Sequence, residues 1–112
     1  MNEELDTISM EGWNIGRDAS IEWQPWGGDG SARAKVLAVA DGFHVILVEA
    51  APGYHGGPHQ HAYPEFLYVT NGTLRTQGQE MNAGDAYAAA AGSVHEDFFT
   101  ADGATYLTVF KV

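Results

Sequence analysis

The chain has 112 residues with fifteen acidic against five basic side chains, a formal charge of −10 at neutral pH. So acidic a balance argues against the basic grooves that bind nucleic acid or anionic membranes. Cysteine is absent, which removes disulfides, thiolate metal sites and cysteine nucleophiles.

This length accommodates one domain with one core, and the five Tyr, five Phe, three Trp and fourteen Gly lean toward β-structure. Residues 1–12 carry too few apolar groups to order themselves and read as an arm, mobile or docked on a partner, ahead of a body at 13–112. The start, Met1 to Met10, is acidic without an apolar run, unlike a signal peptide. No apolar segment approaches membrane-spanning length, and a cytoplasmic protein is expected. From Trp13 to Trp26 aromatic and polar residues alternate, and the shared parity of Ile21 and Trp23 predicts a short strand there. Gly27–Ser31 has the composition of a loop.

Beyond it, turn signals punctuate β-branched runs. Asp41-Gly42, Asn71-Gly72 and Asp102-Gly103 each sit between two such runs, as two-residue hairpin turns do, and Gln77-Gly78 is a weaker case. Pro52-Gly53 and Ala83–Asp85 read as further turns. About eight strands of ordinary length follow. No helix is expected; Ala86–Gly92 reads as extended despite alanine's helix preference, because turn signals bracket it. Many short antiparallel strands in one small domain imply a barrel or jelly roll.

The chemistry concentrates between Gly53 and Gly72. In an extended segment side chains alternate, so His59 and His61 project from one face. A turn at Ala62–Pro64 would start a new strand at Glu65 and bring its carboxylate back beside the imidazoles. His95 lies on a later strand and has this cluster as its evident partner. Three imidazoles and a carboxylate suit Fe(II), Mn(II), Ni(II), Co(II) or Zn(II), and four protein ligands on a six-coordinate ion leave two positions for water or substrate. His44 and His55 read as ordinary surface or core histidines.

The spacing resembles the cupin superfamily. Its first motif, Gly, five residues, His-x-His, three or four residues, Glu, six residues, Gly, is matched by Gly53, His59, His61, Glu65 and Gly72. Random scattering of these residues would give that register about twice in ten thousand arrangements. Of the second motif the chain has Gly84, Gly92 and His95 in place, with Ala90 where the family has proline and Phe99 where it has asparagine. The resemblance implies an all-β double-stranded β-helix, a jelly-roll barrel, with one divalent transition metal held by His59, His61, Glu65 and His95. In looser features the chain is similar to small single-domain cupins such as acetylacetone-cleaving and dihydroxyacetophenone-type dioxygenases, and to the zinc-binding cupin domain of anti-sigma factors. Glu65 departs from the three-histidine iron set understood for the acetylacetone-cleaving enzyme.

The resemblance favours an Fe(II) dioxygenase acting on a small carbonyl or enol such as a β-dicarbonyl or hydroxyketone. The alternatives are a metal-dependent isomerase, lyase or decarboxylase, or a non-enzymatic metal- or ligand-binding module. Tyr63, Phe99 and Trp26 are the pocket-lining candidates, Tyr63 being also the catalytic one. Asp97 or Glu49 could hold the second nitrogen of a ligating histidine. Phe66, Tyr68 and Thr70 should face outward if Glu65 faces inward, and two aromatics on an outer sheet face, with residues 1–26, point to a homodimer.

Overall fold

Alternation along one strand organises the molecule. The computed structural model describes residues 8–57 and 59–111; the side chain of His59 and the first seven residues of the expected arm lie outside that set. Eleven strands occur among the described residues: β1 (Gln24–Trp26), β2 (Ala32–Ala40), β3 (Phe43–Ala50), β4 (His55–Gly56), β5 (His59–Gln60), β6 (Glu65–Thr76), β7 (Gln79–Asn82), β8 (Ala86–Ala89), β9 (Val94–His95), β10 (Phe98–Phe99) and β11 (Ala104–Lys111). In β6, Glu65, Leu67 and Val69 are buried while Phe66, Tyr68 and Thr70 are exposed, the two faces expected from its period of two.

All pairings are antiparallel. The order runs β1-β2-β3-β11-β6, after which β6 carries β8 at its first half and β7 and β10 at its second, with β4 beyond β10. One strand thus belongs to both layers, and the sheet curls into the barrel expected from the sequence. Between the layers pack Ile46, Val48, Leu67, Val69, Leu74, Met81, Phe98 and Tyr106. The β5–β9 pair stands apart as a short ladder at one end.

Asn71-Gly72 is not a hairpin turn. The strand continues through it, and the register against β11 slips by one residue, so that Thr105 faces Asn71 while Tyr106 faces Val69. This is a β-bulge at Thr70, and the Thr70 hydroxyl donates to the Thr105 carbonyl at 3.0 Å across it. A backbone angle and a contact explain why the dipeptide bends the strand here. Gly72 has φ 76°, and a Cβ on it would lie 2.3 Å from the Gly103 carbonyl oxygen, so only glycine fits. The slip also changes parity. Odd positions are buried before the bulge, whereas Leu74 and Thr76 are buried after it.

Asp102-Gly103 turns the chain, but between β10, paired with β4 and β6, and β11, paired with β3 and β6; it is a crossing from one layer to the other. Asp41-Gly42 and Gln77-Gly78 behave as expected. Both residues of each pair have positive φ, and they close the β2–β3 and β6–β7 hairpins. The alanine-rich stretch is extended over β8, where strand pairing to β6 outweighs alanine's propensity.

The first strand begins later than alternation predicts, at Gln24, after a single 3-10 turn at Asp18–Ser20. The Trp23 ring lies under both the Arg33 guanidinium (4.3 Å) and the Lys35 ammonium (4.8 Å), and Lys35 Nζ meets the Asp18 carboxylate at 2.7 Å. Side-chain packing across β2 holds this stretch, not a backbone ladder. Among the described residues no helix is long and apolar enough to cross a membrane.

Candidate metal centre

Three chain segments converge at one end of the barrel. The β5–β9 pair sets His59 opposite His95 in backbone register, and beyond it the His61 amide donates to the Ser93 carbonyl at 2.9 Å. The bend at Ala62-Tyr63 then returns the chain into β6, whose first inward residue is Glu65. His61, Glu65 and His95 are all buried, and one ligand atom from each lies within 4.8 Å of the others. His61 Nδ1 is 3.4 Å from Glu65 Oε1, and the His61 and His95 rings are 5.6 Å apart. Donors held about 2.0–2.2 Å from one ion stand about 3 Å apart when adjacent and about 4 Å when opposite, which this spacing accommodates.

Charge points the same way. Glu65 is 8% exposed, and among the described residues it makes no ion pair with lysine or arginine. A buried carboxylate without a countercharge is costly; a divalent cation shared with two imidazoles would supply it. The donor set therefore fits a borderline first-row ion.

Buried hydroxyls hold the ligands from behind. The Tyr87 hydroxyl donates to Glu65 Oε2, reaching it because Tyr87 faces Leu67 in the β8–β6 register, two residues from the glutamate. Burial, then the Glu65 charge, push the Tyr87 phenol far above its usual range, so it stays a donor. Thr76 Oγ1 sits 2.7 Å from His95 Nε2 and donates to the Asp97 carbonyl at 3.0 Å. With its only hydrogen committed to a carbonyl, the hydroxyl accepts from Nε2–H and leaves Nδ1 with the lone pair. At Nε2 the partner of His95 is the Thr76 hydroxyl rather than the Asp97 or Glu49 carboxylate: Asp97 contributes its backbone oxygen to Thr76, and Glu49 pairs with Arg33 at 2.8 Å on an exposed surface.

In front of the cluster lies a cavity of about 580 Å³ reached by His61, Glu65 and His95. Its walls include Trp26, Tyr54, Phe98, Tyr106 and Phe110, and Tyr63 and Lys111 also line it. Of the pocket candidates, Trp26 stands in this wall, 6.2 Å from Phe110. Tyr63, 46% exposed, lines it as well. Phe99 does not line it. The parity of β10 turns Phe98 inward, 5.5 Å from His95, and sends Phe99 to the ring of His55 at 6.0 Å. His44 stacks near Phe110 and bonds the Gly42 carbonyl, and neither it nor His55 joins the cluster.

Sequence reasoning missed Thr76, Tyr87, Phe98, Phe110 and Lys111. Tyr87 had a signal, a lone large residue amid alanines on a strand next to Glu65's. Thr76 had none, since its inward facing depends on the bulge six residues earlier.

With the geometry in place, comparison identifies the family. Residues 14–111 match the ChrR Cupin-like domain, and the chain belongs to that family. Among solved structures it is similar to an acetylacetone dioxygenase of Acinetobacter johnsonii (TM-score 0.77, 16% identity, 94% of this chain and 76% of that one). It is also similar to the polyketide cyclase RemF of Streptomyces resistomycificus (TM-score 0.74, 21% identity, 88% and 78%). A third likeness is to the Rhodobacter sphaeroides SigE complex with the anti-sigma ChrR (TM-score 0.69, 21% identity, 85% and 52%). At such identities the likeness is one of fold. No curated protein matches the sequence.

Proposed function

We propose that the protein is a metal-dependent cupin enzyme, an Fe(II) dioxygenase acting on a small, partly apolar carbonyl or enol compound of the β-dicarbonyl or hydroxyketone kind. The observation that carries this reading is the buried His61–Glu65–His95 cluster opening onto an aromatic-walled cavity. His59, His61, Glu65 and His95 would hold the ion. Its bound form would supply Lewis acidity toward a substrate oxygen and the electrons that oxygen chemistry needs.

The chain's own groups prepare the rest. Tyr87 fixes the Glu65 carboxylate and Thr76 the His95 ring, so neither ligand need reorganise when substrate arrives. Trp26, Phe98 and Phe110 offer flat apolar surface to the body of a substrate and displace water from the cluster. The Tyr106 phenol, raised far above its usual range by burial and then by Tyr54 and Glu65, stays protonated and adds no negative charge to the cavity wall. Tyr63, in the cavity lining, is assigned to substrate contact and catalysis.

The test is the metal found in protein purified without added metal, together with oxygen uptake by the Fe(II)-loaded protein on a panel of β-diketones and hydroxyketones. Turnover with consumption of O2 supports the reading. Turnover without O2 selects the isomerase, lyase or decarboxylase alternative. Tight metal binding with no turnover on any compound selects the non-enzymatic module.

For assembly we infer a homodimer. The outer face of β6 leaves Phe66 and Tyr68 nearly half exposed, beside a shallow groove shared with Leu107 and Val109. Light scattering at micromolar concentration should give twice the 12.0 kDa chain mass; a monomer removes the inference.

A further inference from the structure

Lys111 is the one basic side chain among the described residues that line the cavity, and Glu65 is the one carboxylate. The remaining four basic residues lie elsewhere. Arg33 is paired with Glu49 and Lys35 with Asp18, while Arg17 and Arg75 are absent from the lining. Lys111 has no carboxylate partner among the described residues. Its ammonium instead sits 4.5 Å from the centre of the Tyr63 ring and 5.8 Å from that of Phe43, contacts that bias a flexible side chain toward one position without neutralising it.

The backbone makes room for this placement. Gly42, in the β2–β3 turn, would bring a Cβ to 3.0 Å from Lys111 Cε, so the turn glycine leaves a channel for the aliphatic stem. Tyr63, which receives the ammonium, lies in the bend between the ligand candidates His61 and Glu65. A cation is therefore tethered to the loop that forms the cluster. In a chain of net charge −10 an anion is repelled at long range, and a cavity that is to hold one requires a local cation.

We propose that Lys111 forms an anion subsite of the cavity and that the ligand carries a carboxylate. Its apolar body lies against the aromatic wall, with its carbonyl or enol oxygens toward the cluster. This deepens the proposed function and rests on that reading only for the end of the ligand at the cluster. Lys111 sets specificity; it takes no part in bond making.

Binding without turnover tests it. The Zn(II)-loaded protein, inert toward O2, is titrated by tryptophan fluorescence with 2,4-dioxo-4-phenylbutanoate and with its methyl ester, which keeps the dicarbonyl and phenyl groups but lacks the charge. Wild type should bind the acid about five- to tenfold tighter than the ester, a preference that added salt weakens. Lys111→Met should bring the ratio to about one with ester affinity unchanged, Lys111→Gln should match it, and Lys111→Arg should keep most of the preference. A preference that survives in both neutral variants overturns the proposal, as does a wild type that does not discriminate or binds neither probe. Oxygen uptake by the Fe(II) form is read separately. Its absence would remove the dioxygenase reading while leaving a measured charge preference intact.

Discussion

The two sides of the histidine cluster are built differently. Behind it, Thr76 and Tyr87 each commit a hydroxyl to a ligand side chain, on the paired strands β6 and β8. In front, Trp26, Phe98, Phe110, Tyr63 and Lys111 come from separate parts of the chain and meet at the cavity through ring contacts. Buried hydrogen bonds are directional and costly to break, which suits holding a ligand set in one geometry. Aromatic surface is adaptable in what it accepts, which suits choosing a substrate. Holding and choosing are thus assigned to opposite faces of one cluster.

Removing a ligand should have the largest effect. Glu65→Ala or His95→Ala is expected to lower metal affinity by more than about a hundredfold, measured by competition with a chromogenic chelator. Retention of wild-type affinity in both would dissolve the comparison, because the back would then be holding nothing.

Next come the hydroxyls. Thr76→Val and Tyr87→Phe should each weaken metal binding by about tenfold or more, and Thr76→Ser should restore the threonine's share. By contrast, Trp26→Ala and Phe110→Ala should leave metal affinity within about twofold while weakening binding of an aromatic diketone by about tenfold. If the front substitutions disturb metal affinity as much as the back ones, the division of labour fails.

Gly72→Ala probes how the back is assembled. The clash with the Gly103 carbonyl and the positive φ should cost about 2–4 kcal/mol of stability by urea unfolding. Its effect on metal affinity should resemble that of Thr76→Val, because the bulge is what turns Thr76 inward.

The smallest effect expected is alkaline. Burial raises the phenols of Tyr87, Tyr106 and Tyr54 above the ordinary value of 10.0. Above pH 10 the unfolded chain therefore releases protons that the native protein still binds, and stability declines as pH rises. Well below pH 10 these phenols are protonated in both states and contribute no pH dependence of their own. Tyr106→Phe should flatten the alkaline decline in urea midpoints; an unchanged slope would mean that this phenol ionises in the folded state as it does unfolded.

Much of this was legible in the chain because it rests on local rules. Strand period placed Glu65 inward and Phe66 and Tyr68 outward, positive-φ dipeptides marked the β2–β3 and β6–β7 turns, and the spacing from Gly53 to His95 named three residues that do converge. The same rules misplaced Asn71-Gly72 and Asp102-Gly103, since a glycine dipeptide permits a sharp bend without saying whether the chain reverses, bulges or crosses. Tertiary contact decided that, through the approach of Gly103 to Gly72. From the bulge followed the parity of Thr76, and from the short irregular link before β10 the exchange of Phe99 for Phe98 at the cavity. The amino-acid sequence by itself determined the all-β character of the fold and the ligand types. Which hydroxyls grip those ligands, and which cation faces the cavity, depended on long-range register, because one slipped residue reverses every side chain beyond it.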